Sequence, residues 1–263
     1  MSSRFSEPPP LRVRSALMCG LALLCIAIAS TGCVPRSSTE VPVGVSLEHR
    51  LGDAPLVLDL AQPIDDTATP PSLTVSRLAY YLGRFRLQHA DGRWFESARR
   101  NEPGGDYVRV ELAQQQTLHF EPLHVPAGDY TALEFLVGVD PQRNRGGAQT
   151  GALDPVHGLF WTWRTGYIFF ALEGRAPLSG ARDHTLTFHL GGDDALARTV
   201  MLPVALRVAA DGSGASLTLR VQLDEFFRGL PLDRTHTVMN AQDAAPLADR
   251  YAALFSVVTA LAR

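Results

Sequence analysis

The sequence predicts an all-β protein, an antiparallel β-sandwich with one C-terminal helix. Short apolar or alternating stretches recur along the chain, separated by turn signals such as Asp91-Gly92, Gly191-Gly192 and Asp211-Gly212. Many short strands at this spacing are typical of a sandwich. The predicted strands are Val43–His49, Leu56–Leu60, Leu73–Leu87, Tyr107–Leu112, Leu118–Phe120, Tyr130–Val139, Leu159–Leu172, Thr185–Leu190, Arg198–Val208 and Ser216–Leu223.

The C-terminal segment carries a helical pattern. It follows the helix start signals Asp243 and Pro246, and its apolar residues recur mostly at spacings of three and four. They are Leu247, Tyr251, Leu254, Phe255, Val258 and Leu261. This periodicity predicts a single helix that packs its apolar face on the sandwich.

Residues 1–32 are predicted to be a signal peptide of the lipoprotein type, because arginines precede a short apolar run from Ala16 to Ser30. The segment Ser30–Cys33 resembles a lipobox, which makes Cys33 the predicted lipidation site and residues 33–42 a lipidated tether. A plain secretory leader with an incidental cysteine is the alternative. Residues 43–263 form the predicted domain. With Val34 after the cysteine, the resemblance to bacterial lipoproteins indicates a periplasmic protein anchored at the outer membrane.

The composition excludes several classes of function. All three cysteines fall in the first 33 residues, and all 24 basic residues are arginine. The domain therefore has no cysteine for a disulfide framework, a thiolate metal site or a nucleophile, and no lysine for a Schiff base. The net charge of −3 gives no reason to expect nucleic acid as a partner. Neither G-x-S-x-G nor H-E-x-x-H occurs, so we do not expect an enzyme.

Histidines and tryptophans are the remaining candidate site residues. His49 ends an alternating apolar row, and His189 lies on a strand whose alternate residues are apolar. The pattern alone favours structural roles for both rings. Trp161 and Trp163 point to one face of a predicted strand, which fits core packing or a platform for sugar rings. In the long loop Gly138–Gly158, acidic and amide side chains carry oxygens that calcium could use, but their spacing fits no EF-hand and favours an ordinary loop.

Seven segments, in order along the chain, resemble the MbnP-like family of periplasmic copper-binding proteins associated with methanobactin systems. They are Leu47–Leu56, Ser76–Leu82, Val125–Tyr130, Leu136–Asp140, Gly151–Pro155, the tryptophan strand through Gly174, and Phe188–Gly192. The W-x-W-x-x-G-Y core is the most specific of them. The family commonly has Asn-Gly-Met after the Asp-Pro pair, whereas this chain has His157-Gly158-Leu159. This departure puts a sulfur ligand in doubt and makes His157 a further candidate ligand.

The resemblance implies that His49 and His189 bind copper, and that Trp161 or Trp163 is oxidised to kynurenine by a MauG-like dihaem cytochrome c peroxidase. Opening the indole ring leaves an aryl amine, and two imidazoles with an aniline nitrogen suit copper. The implied role is copper acquisition or homeostasis. Two alternatives stay open: a carbohydrate- or solute-binding lipoprotein with the tryptophan pair as its platform, and a structural envelope protein without a ligand.

Overall fold

The computed structural model of the protein describes residues 40–63, 72–102, 104–162, 165–193 and 196–262. The predicted signal peptide, Cys33, most of the predicted tether and Trp163 lie outside these residues. The first strand begins at Val41, two residues before the predicted domain boundary. In the described part of the chain, no helix is long and apolar enough to cross a membrane.

Strands dominate the described residues. They are β1 Val41–Leu51, β2 Ala54–Pro55, β3 Ala61–Pro63, β4 Ser72–His89, β5 Trp94–Glu96, β6 Val108–Glu111, β7 His119–Val125, β8 Gly128–Val137, β9 Phe160–Thr162, β10 Gly166–Arg175, β11 Thr185–Gly191, β12 Arg198–Val208, β13 Ala215–Gln222, β14 Thr237–Val238 and β15 Phe255–Ala262. The short helices are α1 Pro141–Arg145, α2 Asp224–Phe227, α3 Ala241–Ala244 and α4 Ala248–Ala252.

The strands form two sheets. The smaller sheet has the order β15-β13-β1-β2, and β7 also pairs with β1. The larger sheet has the order β12-β8-β4-β10-β11-β14, with β3, β5 and β6 on β4 and with β9 on β10. Most pairs are antiparallel, while β1 with β13 and β11 with β14 are parallel. The predicted all-β sandwich is confirmed.

Aromatic side chains fill the space between the two sheets. The ring of Phe85 in the larger sheet lies 5.6 Å from that of Phe120 in the smaller one. Phe255 of the smaller sheet contacts both Tyr80, at 5.9 Å, and Phe135, at 5.2 Å. Burying a side chain of this size contributes roughly 1.5–3 kcal/mol to stability, so these contacts hold the layers together.

Two predicted strands differ from the structure. Residues 56–60 form turns, because the Gln62 side chain bonds the backbone of Val57 and Pro55 (both 2.8 Å) in place of a strand partner. The predicted strand Leu159–Leu172 folds back on itself as β9 and β10. Gly166 lies at this turn with a φ of 70°, a backbone conformation that glycine adopts without strain.

The predicted C-terminal helix is confirmed but is shorter than its periodicity suggests. Helical turns run from Ala241 to Ala252, and then β15 pairs with the edge of β13. Residues 257–259 read Val-Val-Thr, and β-branched residues favour strands over helices. Val258 and Leu261, which the periodicity assigned to the helix, are 41% and 57% exposed on this strand.

The larger sheet has two covered faces. Its inner face, defined by Tyr80 and Phe170, packs on the smaller sheet and on the C-terminal helices. Its outer face carries a second aromatic layer under the 138–158 loop, where the Tyr167 ring contacts Tyr81 at 5.8 Å and Phe160 at 4.8 Å. The Tyr167 hydroxyl donates to the Leu153 carbonyl at 2.8 Å, which fixes the loop on this face.

Candidate metal site

His49 lies in the core between the sheets. It is 6% exposed, and its Nε2 is 2.8 Å from the Tyr80 hydroxyl. Its Nδ1 is buried and has no hydrogen-bond partner among the described residues. Burial lowers the pKa of His49 to about 4, and it holds the pKa of Tyr80 well above the usual value. Both side chains are therefore neutral at neutral pH.

His189 lies on the outer face of the larger sheet. It is the cross-strand neighbour of Ala171, and its Nε2 is 2.9 Å from Oε1 of Glu173. A carboxylate only accepts hydrogen bonds, so Nε2 carries the proton, and in the neutral ring Nδ1 keeps its lone pair. Ligating histidines usually hold a carboxylate or carbonyl through their second nitrogen in this way. His189 is thus oriented as a metal ligand would be.

The structure does not bring His49 and His189 together. Tyr80, Phe170 and Leu190 are neighbours across three strands and point inward, toward His49. The next residue in each strand points to the other side, because successive side chains alternate. His189 therefore projects away from the space that holds His49, and the sheet itself separates the two rings. This geometry does not favour a single ion bound by both.

The outer-face row beside His189 has a floor of small side chains. It runs from His189 over Ala171 and Ala79 to Glu111, across β11, β10, β4 and β6. Arg77 spans this row, with guanidinium nitrogens 3.6 Å from Glu173 and 3.3 Å from Glu111. Glu173 also lines a surface cavity of about 400 Å³. The carboxylate thus borders open space, while the His189 side chain beside it is only 15% exposed.

Trp161 and His157, the remaining predicted site residues that the structure describes, have separate surroundings. Trp161 is half-buried, and its ring packs so closely on Gly192 that a β carbon there would lie 3.0 Å from Cζ3. The Nε2 of His157 is 3.1 Å from the Gly151 carbonyl oxygen, and its own carbonyl lies 3.5 Å from Arg77. The cavity that His157 lines is not the one that Glu173 lines. Trp163, named above, is not among the described residues.

The side-chain oxygens of the 138–158 loop accept hydrogen bonds that stabilise the loop itself. Asp140 caps α1 and accepts hydrogen bonds from Arg143 and Tyr107, both at 2.8 Å. Burial raises the pKa of Asp140, but these hydrogen bonds outweigh it and keep the pKa below its ordinary value. Asn144 accepts from the backbone of Tyr167, and Asp154 from that of Val156, both at 2.9 Å. These bonds are those of an ordinary turn-rich loop.

The side chains near His49 and near His189 offer different donors to a copper ion. Among the described residues, no three His, Cys, Asp or Glu side chains cluster closely enough to hold a metal ion. At His49 the nearby donor is the neutral phenol of Tyr80, a poor ligand. At His189 an imidazole and a carboxylate stand together in a partly buried position, and both suit a borderline metal ion. The His189 side fits copper better, with further donors still to be supplied.

Two functional neighbours were missed by sequence reasoning. Glu173 was seen only as an isolated acid, because its position beside His189 depends on the register between β10 and β11. A nine-residue connection, 176–184, joins these strands, so no tight turn fixes that register in the sequence. Tyr80 carries no sequence signal of this role, because its contact with His49 joins two sheets, which no local pattern encodes.

Comparisons with known proteins agree with this fold. No curated protein sequence matches the chain. Among solved structures, the chain is similar to MbnP from Methylosinus trichosporium, at 15% identity and a TM-score of 0.50 over 72% of this chain and 78% of the other. At that identity the match shows a shared fold. The MbnP family model matches residues 40–241, well over half of the 263 residues. The chain therefore belongs to the MbnP family.

Proposed function

We propose that this MbnP-family protein is a periplasmic, lipid-anchored copper-binding protein without enzymatic activity, which serves in copper acquisition or homeostasis. The proposal places copper at His189, on the outer face of the larger sheet. The hydrogen bond between His189 and Glu173 is the observation that carries it, because it leaves Nδ1 ready to ligate. Family membership supports the choice of copper.

The residues around His189 have separate tasks in this proposal. Glu173 holds the imidazole in one orientation and one tautomer, and it offers a carboxylate at the open cavity. Arg77 keeps Glu173 in place through its own ion pair and is in turn held by Glu111. Ala79 and Ala171 form a buried floor of small side chains beside His189. Copper, when bound, supplies a redox-active centre for transport or storage.

The proposal includes a further nitrogen donor from a tryptophan. A dihaem peroxidase partner would reduce two molecules of hydrogen peroxide to water and oxidise Trp161 or Trp163 of this protein. The indole C2–C3 bond is cleaved, and C2 and C3 each gain one oxygen atom. Hydrolysis then releases C2 as formate and leaves a ketone and an aryl amine. The domain lacks cysteine, so an amine of this kind is the strong donor that remains available besides histidine.

Copper loading with and without the peroxidase tests the proposal. We expect protein co-produced with the dihaem peroxidase to carry an oxidised residue in the Trp161–Trp163 peptide, by mass spectrometry, and to bind one copper more than protein made without the peroxidase. His189→Gln is expected to lose this copper, while His184→Gln, an exposed histidine five residues away, keeps it. Equal copper binding by the His189 variant, or unmodified tryptophans in protein from its native host, would refute the proposal.

The proposed anchor has its own test. Cys33→Ser is expected to move the protein from the membrane fraction to the soluble periplasmic fraction, because the acyl chains are added to that sulfur. Intact mass of the wild-type protein reports the same modification directly. A wild-type protein without acyl chains would support the plain secretory leader instead.

A further inference from the structure

A second pair of histidines lines one surface cavity, apart from the site proposed for copper. This cavity of about 320 Å³ lies between β6, β7 and the 151–157 turns. His119, the first residue of β7, and His157, in the turn after Asp154, both form part of its wall. The two residues lie 38 positions apart in the chain, and the fold places both in the wall of this cavity.

The hydrogen bond of His157 fixes its free nitrogen. Nε2 lies 3.1 Å from the carbonyl oxygen of Gly151, and a carbonyl only accepts. Nε2 must therefore carry the proton, which leaves the Nδ1 lone pair for a ligand. A backbone carbonyl on the second nitrogen is a common support for a ligating histidine, since it sets both tautomer and ring orientation.

His119 is held in a complementary way. Its Nδ1 lies 2.9 Å from the hydroxyl of Ser46, its cross-strand neighbour on β1. A serine hydroxyl can accept as well as donate, so Nδ1 can hold the proton and Nε2 can ligate. Each of the two rings thus keeps one nitrogen on the protein and has one left over.

The charges around the cavity are balanced. Arg109 lines it, but its guanidinium is paired with Glu111 at 3.3 Å and donates to Gln114 at 2.7 Å. Phe120 and Ala152 give an apolar wall on which imidazole rings can pack. Among the described residues, no carboxylate lines the cavity, so hard cations such as calcium and magnesium lack their preferred ligand there. The donors are those of a borderline transition metal.

We propose that His119 and His157 bind a divalent transition-metal ion, of the class of Zn²⁺ and Cu²⁺, with water completing its coordination. The ion bridges β7 and the 151–157 turns and so ties the long loop to the smaller sheet. This site needs neither an oxidised tryptophan nor the residues around His189. It is therefore independent of the function proposed above.

Zn²⁺ binding to protein produced without the peroxidase tests this site. We expect one Zn²⁺ to bind by calorimetry, and His119→Ala and His157→Ala each to weaken it by about tenfold or more. His124→Ala is the matched control, because His124 is an exposed histidine on the same strand as His119. Zn²⁺ should also protect His119 and His157, but not His124, from modification by diethyl pyrocarbonate, mapped by mass spectrometry.

Three results would overturn the proposal. They are no Zn²⁺ binding by the wild-type protein, binding that neither alanine variant weakens, and binding lost equally in His157→Ala and His189→Ala but kept in His119→Ala. The last would assign His157 to the site beside Glu173. Circular dichroism of each variant checks that it is folded. If the copper proposal alone fails, His189→Gln leaves copper binding unchanged while Zn²⁺ binding at His119 and His157 persists.

Discussion

Histidine has opposite surroundings on the inner and outer sides of the larger sheet. On the inner side, His49 is buried against the ring of Tyr80, is neutral, and has one nitrogen without a hydrogen-bond partner among the described residues. On the outer face, His189 holds a carboxylate that an arginine also contacts, next to open space. Burial therefore makes the first ring a part of the core. The polar network makes the second ring a candidate ligand.

The largest expected effect concerns the inner face. Phe170 is fully buried and stacks on Tyr80, Phe226 and Tyr251. Phe170→Ala is expected to lower the free energy of unfolding by roughly 3–5 kcal/mol, because it leaves a cavity as well as losing apolar burial. Urea unfolding measures the change. A loss below about 1 kcal/mol would mean that the inner face is not tightly packed.

The second prediction uses the buried ring of His49. Its pKa is about 4 in the folded protein against 6.5 when unfolded, so the unfolded chain binds more protons between these values. Stability should therefore fall as the pH drops from 6.5 to 4, by about 2–3 kcal/mol for this group. Denaturant unfolding across this range measures the slope.

His49→Gln should flatten this pH dependence, because glutamine can still bond the Tyr80 hydroxyl but does not titrate. His184→Gln, which removes an exposed ring, serves as the control and should leave the slope unchanged. Copper binding by the His49→Gln variant also tests whether the inner face holds a metal ligand. If the His49 ring is structural, this variant should bind copper as the wild-type protein does. An unchanged slope in His49→Gln would contradict this assignment.

The third prediction concerns the partner of His189. Glu173→Gln keeps the shape of the side chain but removes the charge that orients and polarises the imidazole. Copper affinity in peroxidase-matured protein should fall by about 10–100-fold, as for other residues that support a ligand. Glu225→Gln, at another partly buried glutamate, is the control. Unchanged affinity would remove Glu173 from the site.

The smallest effect is expected for the arginine network of the outer face. Arg77 is partly exposed and pairs with Glu111 at 3.3 Å. A double-mutant cycle with Arg77→Gln and Glu111→Gln should give a coupling of about 0.2–1 kcal/mol, as for other pairs near solvent. A coupling of several kcal/mol would show that this network, and not only the inner face, stabilises the fold.

Alternation along strands made much of this comparison predictable. The apolar row that ends at His49 correctly indicated an inward ring, and the predicted span of β12 matches its observed bounds. The position of Glu173 beside His189 was not predictable, because it depends on strand register across a long connection. The end of the C-terminal helix was also missed, since the free edge of β13 outweighs local periodicity there.

The parallel pairing of β1 with β13 has a consequence for how the chain folds. His49 aligns with Val221, so the first strand of the smaller sheet is completed on that side by residues that emerge some 170 positions later. Until then β1 presents an unpaired edge, which is a template for pairing with other chains. Non-local pairing of this kind makes folding slow, on the scale of milliseconds to seconds. A chain truncated before Ala215 is therefore expected to aggregate.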